Sequence, residues 1–375
     1  MTDLDVLHMT RALELARQGD PSPNPHVGSV VAAGERVLAE AHHISAGGEH
    51  AEVAALRLAG AAAQGATLYV TLEPCNHEGR TPPCVDAILA AGVARVVIGC
   101  RDPNPRVTGG GSDRLKEAGV EVRLGVLEQE AKDLIRPWAH FITTGKSYLA
   151  QKLAISLDGR IATRTGASKW ITCPESRARV QLLRTQHDAV LVGVGTVLAD
   201  DPRLTVRDVP GRSPIRVIVD SKLRIPTTAQ VVQTATQTPT CVFTAPAAPH
   251  SAEEALAKLG VRVIRVPATA EGRCDPSAIL EELASREVVN VLCEGGAELA
   301  GTLLAAGLPR ELHVFVAPVL LGPRGRPGAV DWAGPESPAD APRIEPQHWE
   351  LCGSDAYVWG PLVFPKKTNR TNPGG

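Results

Sequence analysis

The chain has 375 residues and a formal charge of −2, a balance that gives no basic face for nucleic acid and no anchor for an acidic membrane surface. Hydrophobic residues make up 43% and aromatics only 3%, so a globular core must be filled by Val, Leu, Ile and Ala. No run approaches the ~18 apolar residues of a membrane span, and the acidic start Met1-Thr2-Asp3-Leu4-Asp5 has no apolar signal core, so a cytoplasmic location with reduced cysteines is expected.

The length predicts two domains. Leu4, Leu7, Leu13, Leu15 and Ala16 form an apolar stripe that predicts a helix over 4–18, stopped by Gly19. A rigid loop, Asp20-Pro21-Ser22-Pro23-Asn24-Pro25, leads to strands at 28–33 and 36–40, paired across Gly34. Helix 50–59, strand 66–72, helix 82–91, strand 93–99, helix 112–118 and strand 120–124 follow, with a further helix start expected where Pro74 precedes Cys75. Alternating helices and strands indicate a layered α/β domain. Residues 126–147, with a helix at 127–135, form a connector, and the boundary is placed near Gly145.

The second half opens with a strand, Tyr148 to Ser156, that enters a turn at Asp158-Gly159. A helix at 174–186 and a strand from Asp188 through Val192 follow, and 197–207 reads as charged and turn-rich. Strands are expected at 215–220, 240–245, 261–266, 288–293, 311–317 and near 357–364, with a helix at 298–306. The division is therefore 1–145, 146–365 and a polar tail, 366–375, expected to be disordered.

The chemistry is concentrated between His50 and Cys84. His50-Ala51-Glu52 is followed by a strand, then by Glu73-Pro74-Cys75 and, after eight residues, Cys84. Taken singly, the cysteines read as buried thiols and His50 as a helix-start residue. In this order they match a zinc deaminase signature, in which His50, Cys75 and Cys84 hold Zn²⁺ and Glu52 moves protons. Three protein ligands leave a position for a water whose pKa falls to about 7. In the second half, Gly193-Val194-Gly195-Thr196 is a weak cofactor signal, and no dinucleotide fingerprint follows the first strand. Strand–Glu294-Gly295-Gly296–helix is either a tight turn or a close backbone approach to a phosphate.

Pro23-Asn24-Pro25, His43, the His50–Cys84 stretch with its long Cys-Cys spacing, and Asp102-Pro103-Asn104-Pro105 resemble the bifunctional deaminase/reductase family of riboflavin biosynthesis. The resemblance continues through the second half. It implies a cytidine-deaminase-like three-layer domain followed by a dihydrofolate-reductase-like α/β domain. It implies Zn²⁺ and NADPH as cofactors, and small-molecule phosphoribosylaminopyrimidines as substrates, with neither nucleic acid nor membrane as partner. By the same resemblance Asn24, His43, His77, Arg80 and Asn104 surround the deaminase substrate, and Ser168, Arg184, Leu204, Arg207 and Glu294 the reductase substrate. Ala154, Trp170, Thr196, Asp200, Ser221, Gly295 and Gly296 match cofactor positions, and Lys152 a catalytic lysine. The region 225–287 carries no matched residues. Three other readings stay open: a zinc-dependent nucleoside or tRNA deaminase with a non-catalytic second domain, a deaminase with an inactive reductase-like domain, and a zinc-stabilised module without catalysis. Whether the chain forms a homo-oligomer is not set by the sequence.

Overall fold

The computed structural model describes residues 2–78, 82–105, 110–322 and 328–365. Arg80 and the tail 366–375 lie outside the described residues. The chain divides into two compact units between Lys146 and Ser147.

The first unit is built on β1 (Gly28–Ala33), β2 (Arg36–His42), β3 (Thr67–Leu72), β4 (Arg95–Cys100) and β5 (Glu121–Leu124), in the order β2-β1-β3-β4-β5. β1 is antiparallel to β2 and β3, whereas β3, β4 and β5 are parallel. Its helices are α1 (Asp3–Ala16), α2 (Ala51–Ala59), α3 (Cys84–Ala91), α4 (Gly111–Glu117), α5 (Glu128–Leu134) and α6 (Arg136–Thr144). Burial runs almost without a break along β1, β3 and β4, so both faces of the sheet are covered. α1 and α5 pack together, as do α2 and α3, which completes three layers. α1 begins at a capping box made by Thr2 and Asp5. It lies so close to the sheet that a Cβ on Gly28 would stand 1.9 Å from the carbonyl oxygen of Ala12.

The second unit holds β6 (Tyr148–Ser156), α7 (Pro174–Thr185), β7 (Ala189–Gly193), α8 (Val194–Asp200), β8 (Ile215–Val219), α9 (Gln230–Gln233), β9 (Thr240–Thr244), α10 (His250–Ala257), β10 (Arg262–Arg265), α11 (Pro276–Ser285), β11 (Asn290–Cys293), α12 (Ala297–Ala305), β12 (Glu311–Ala317), β13 (Arg343–Ile344), β14 (His348–Cys352) and β15 (Asp355–Val363). The sheet runs β10-β9-β8-β7-β11-β6-β12-β15-β13, with β14 also on β15. All pairings from β10 to β12 are parallel, and β15 closes the end antiparallel to β12, β13 and β14. Three of the scarce aromatic rings stack there, Tyr357 on Phe315 at 4.3 Å and on Trp359 at 4.5 Å. Such pairs add about 0.5–1.5 kcal/mol each beyond area burial.

Several sequence expectations are corrected. The helix start expected at Pro74-Cys75 is absent, whereas the helix expected over 82–91 is present as α3, with Pro83 as its N-cap. The segment taken as turn-rich after residue 197 starts as α8, because Gly193 ends the strand and a helix follows at once. Between residues 225 and 287 stand three helices, α9, α10 and α11, and β13 and β14 add strands that short polar runs did not signal. Arg216, fully buried on β8, donates to Thr240 Oγ1, to Thr234 Oγ1 and O, to Thr238 O and to Arg203 O. Five acceptors and no carboxylate satisfy that guanidinium.

Candidate active sites

In the first unit the parallel strands deliver their carboxyl ends to one place. β3 leads into Glu73-Pro74-Cys75, and β4 leads into Asp102 and Asn104. His50 is the N-cap of α2 with extended backbone (φ −68°, ψ 153°) and spends no side-chain bond on the cap. Glu52 follows in the first turn, which is how residues two apart converge. Cys84 is the buried first residue of α3, and its backbone N–H, at the positive end of that helix, donates to Cys75 Sγ at 3.3 Å and favours a thiolate there.

The donor atoms of His50, Cys75 and Cys84 lie within 4.8 Å of one another. His50 Nδ1 is 3.0 Å from Cys84 Sγ and 3.7 Å from Cys75 Sγ, and the two sulfurs are 3.4 Å apart. One imidazole and two thiols so spaced fit the edges of a tetrahedron with Zn–S ≈ 2.3 Å and Zn–N ≈ 2.0–2.1 Å. The hydrogen bond from Cys84 holds the Cys75 thiol down at about 4, against burial, while the same bond and burial push Cys84 far up. Glu52 is 4% exposed, and burial raises its carboxyl above the ordinary range, with His50 opposing.

Asn24 and His43 are joined, Nδ2 to Nε2, at 3.0 Å, and His43 Nδ1 meets the carbonyl of Glu49 at 2.9 Å. Burial lowers the His43 pKa, so the neutral ring donates from Nδ1 to Glu49 and accepts from Asn24 at Nε2. The His43 ring stands edge-on to His50 at 5.3 Å. Asn104 N–H donates to Asp102 Oδ1 at 2.8 Å, and His77 is exposed at the same end of the sheet.

Glu73 was not singled out by sequence reasoning. Its buried carboxylate accepts from Ser112 N–H at 3.0 Å, Ser112 Oγ at 2.5 Å and Asp102 N–H at 3.3 Å. It therefore ties the segment carrying Cys75 to the loop carrying Asn104. The only signal was an acid at a strand end, directly before Pro-Cys.

In the second unit a cleft of about 910 Å³ opens at the carboxyl ends of β6, β7 and β11, where strand order reverses direction, the usual ligand position in such sheets. Lys152, Ala154, Ser168, Trp170, Arg184, Thr196, Asp200, Leu204, Arg207, Glu294, Gly295 and Gly296 all line it. Ser221 does not. It lies beyond β8, where its Oγ accepts from Cys274 N–H at 2.9 Å.

Glu294 is gripped by Arg184 through Nε at 2.6 Å and Nη2 at 3.0 Å, and Lys152 Nζ lies 3.6 Å away. Burial disfavours the charged carboxylate, but Arg184 and Lys152 outweigh it and hold Glu294 at about 2. Ser168 Oγ donates to Asp200 Oδ1 at 3.2 Å. The Arg177 guanidinium covers the exposed Trp170 ring at 4.6 Å. Gly296 is the N-cap of α12, and a Cβ there would meet nothing nearer than Thr196 Oγ1 at 3.8 Å, so backbone and space are both available to a phosphate.

A layered unit with a zinc donor set, followed by a parallel-sheet unit with a glycine turn and a lysine–carboxylate cleft, defines a two-domain deaminase–reductase. The model for the cytidine and deoxycytidylate deaminase zinc-binding region matches residues 2–100, and that for the RibD C-terminal domain matches 147–358. The riboflavin biosynthesis protein RibD of Bacillus amyloliquefaciens is 42% identical over 346 residues, covering 91% of this chain and 92% of its own. That of Escherichia coli K12 is 42% identical over 369 residues, covering 94% and 98%. A solved structure of Acinetobacter baumannii RibD superposes with a TM-score of 0.84 at 38% identity, covering 97% of this chain and 99% of that one. The Thermotoga maritima diaminohydroxyphosphoribosylaminopyrimidine deaminase/5-amino-6-(5-phosphoribosylamino)uracil reductase gives 0.82 at 35% identity, covering 96% and 99%. The chain belongs to the RibD family and is a bifunctional deaminase and reductase of riboflavin biosynthesis.

Proposed function

We propose that the first unit deaminates 2,5-diamino-6-(5-phosphoribosylamino)pyrimidin-4-one and that the second reduces the ribosyl group of the resulting uracil to ribityl with NADPH. The observation that carries the reading is Glu52, buried beside a complete His50–Cys75–Cys84 donor set.

Zinc held by His50, Cys75 and Cys84 would supply Lewis-acid activation of water. Glu52 carries two protons in turn from the attacking water, the first to a ring nitrogen and the second to the amino group, which leaves as ammonia. Its raised pKa suits both directions of transfer near neutral pH. Asn24, oriented by His43, hydrogen-bonds the pyrimidine, and Glu73 keeps the Asn104 loop in register with Cys75.

NADPH against the Gly295-Gly296 turn would supply the hydride. Lys152 donates to the ribose oxygen as that oxygen gains charge, and Glu294 fixes both Lys152 and Arg184 toward the substrate. Arg207 binds the substrate phosphate.

The test is to incubate pure protein with the phosphoribosylaminopyrimidine and NADPH, following ammonia release and NADPH absorbance separately. Ammonia first, then NADPH loss equimolar with product, is expected. Ammonia release without NADPH consumption would reduce the reading to a deaminase with a non-catalytic second unit.

A further inference from the structure

Arg203 stands on the wall of the reductase cleft, four residues before Arg207, at none of the positions assigned above. Its side chain is solvent-exposed, yet it is held in place. Its Nε donates to Gln230 Oε1 at 3.1 Å. Gln230 is locked in turn to Asp201: its backbone N–H reaches Oδ1 at 2.8 Å, and its Nε2 reaches the carbonyl at 2.6 Å and Oδ2 at 3.2 Å. The Arg203 carbonyl accepts from buried Arg216 at 3.3 Å. Part of the side-chain and loop entropy that ligand binding would remove is therefore lost already on folding.

The clamp is neutral. A carboxamide oxygen orients the guanidinium without cancelling its charge, as a carboxylate would. Asp201, the nearby acid, has its oxygens engaged by Gln230. Arg207 pairs with no carboxylate among the described residues. Burial first, then Arg184 and Arg203, work against its charge. Six cationic side chains and four carboxylates line the cleft, in a chain whose net charge is −2. Arg184 and Lys152 are committed to Glu294, Lys169 to Asp200, and the Asp201 carboxylate to Gln230, which among the described residues leaves Asp208 as the one uncommitted lining carboxylate beside Arg203 and Arg207. Two unpaired guanidinium forks on one loop fit a phosphate monoester.

We propose that Arg203, oriented by Gln230, is a second phosphate-binding residue of the reductase cleft and acts with Arg207 on the 5-phosphate of the pyrimidine substrate. The proposal rests on the reductase reading above. A phosphate monoester could equally be the 2′-phosphate of NADPH, so the test separates the two.

Steady-state kinetics of R203Q, R203K and Q230L are measured with the phosphoribosylaminouracil and its dephosphorylated form, each with NADPH and with NADH. R203Q should lower kcat/KM for the phosphorylated uracil about ten-fold, the loss of one charge-assisted bond, and R203K should restore part of it. The dephosphorylated form should change by less than about two-fold. Q230L, which leaves the charge but frees it, should cost about two- to ten-fold with the phosphorylated substrate only. Raised salt should weaken the unaltered protein's preference for phosphorylated over dephosphorylated substrate. Equal losses with both substrate forms would make Arg203 structural and overturn the inference. A loss that appears only when NADPH replaces NADH would assign it to the cofactor and overturn it too. Failure of the unaltered protein to reduce either uracil would instead remove the reductase reading, and the inference with it.

Discussion

Arg184 and Glu294, 110 positions apart in the chain, meet as a two-bond fork in the reductase cleft with side chains only 9% and 7% exposed. A buried pair of this kind is costly to break from one side, because the surviving charge is left without a partner. Glu294→Gln should destabilise the second unit by about 3–5 kcal/mol. Removing both charges together, as Arg184→Met with Glu294→Leu, should cost less than either single change. Denaturant titration followed by tryptophan fluorescence checks this, since four of the five tryptophans lie after residue 147. The pH dependence has a definite sign. Glu294 is held at about 2, below its ordinary 4.5, so its contribution is complete at neutral pH and is lost as pH falls from 4.5 toward 2. The Gln variant should show a flatter stability curve over that window.

The metal prediction rests on the donor triangle. Elemental analysis of undialysed protein should find one zinc per chain, and Cys84→Ala should lose most of it along with deamination. A Cys84→Ala protein with full zinc and full deamination would refute the ligand assignment.

Glu52 and Lys152 should fail reciprocally. Glu52→Gln should keep zinc and lose deamination by about 10²- to 10⁴-fold, while NADPH oxidation on supplied uracil continues. Lys152→Ala should release ammonia normally and slow reduction by roughly 10- to 150-fold, the worth of one charge-assisted hydrogen bond. Loss of uracil reduction in a folded Glu52→Gln protein would contradict two separate sites.

Glu73 should behave as a positioning residue. Glu73→Ala leaves Ser112 and Asp102 N–H groups unsatisfied and releases the Asn104 loop. The deaminase KM should rise more than kcat falls, zinc content should hold, and Glu73→Gln should rescue part of the KM. Parallel loss of zinc and kcat would place Glu73 with the ligands instead.

The two sites were legible in the sequence to different degrees, for physical reasons. The zinc site was readable because its chemistry is carried by rare residue types within 35 positions. Glu73 sat inside that stretch and was still passed over, because its partners at Asp102 and Ser112 come from other elements. Pro83-Cys84 and Pro74-Cys75 obey the same local rule, yet only the first opens a helix, the one expected over 82–91, and the helix start expected at the second does not form. In the second unit, the cofactor and substrate positions came from resemblance, whereas Gln230 lay in a region with no matched residues. Its bonds to Asp201 span 29 positions, and nothing local marks such a clamp. α9 has only four residues, too few to show a period.

β15 has a consequence for biosynthesis. This nine-residue strand pairs with β12, β13 and β14, and β12 in turn pairs with β6, the first strand of its unit. The reductase sheet therefore cannot close until residues 355–363 have left the ribosome, whereas every strand of the deaminase sheet is complete by Leu124. Domains generally fold as units during synthesis, earliest first, at about 5–20 residues per second. The deaminase unit has on the order of ten seconds or more to fold and gather its metal before the reductase sheet can acquire its closing strand. A nascent chain arrested shortly after residue 180 should already bind zinc while lacking any site for the nucleotide.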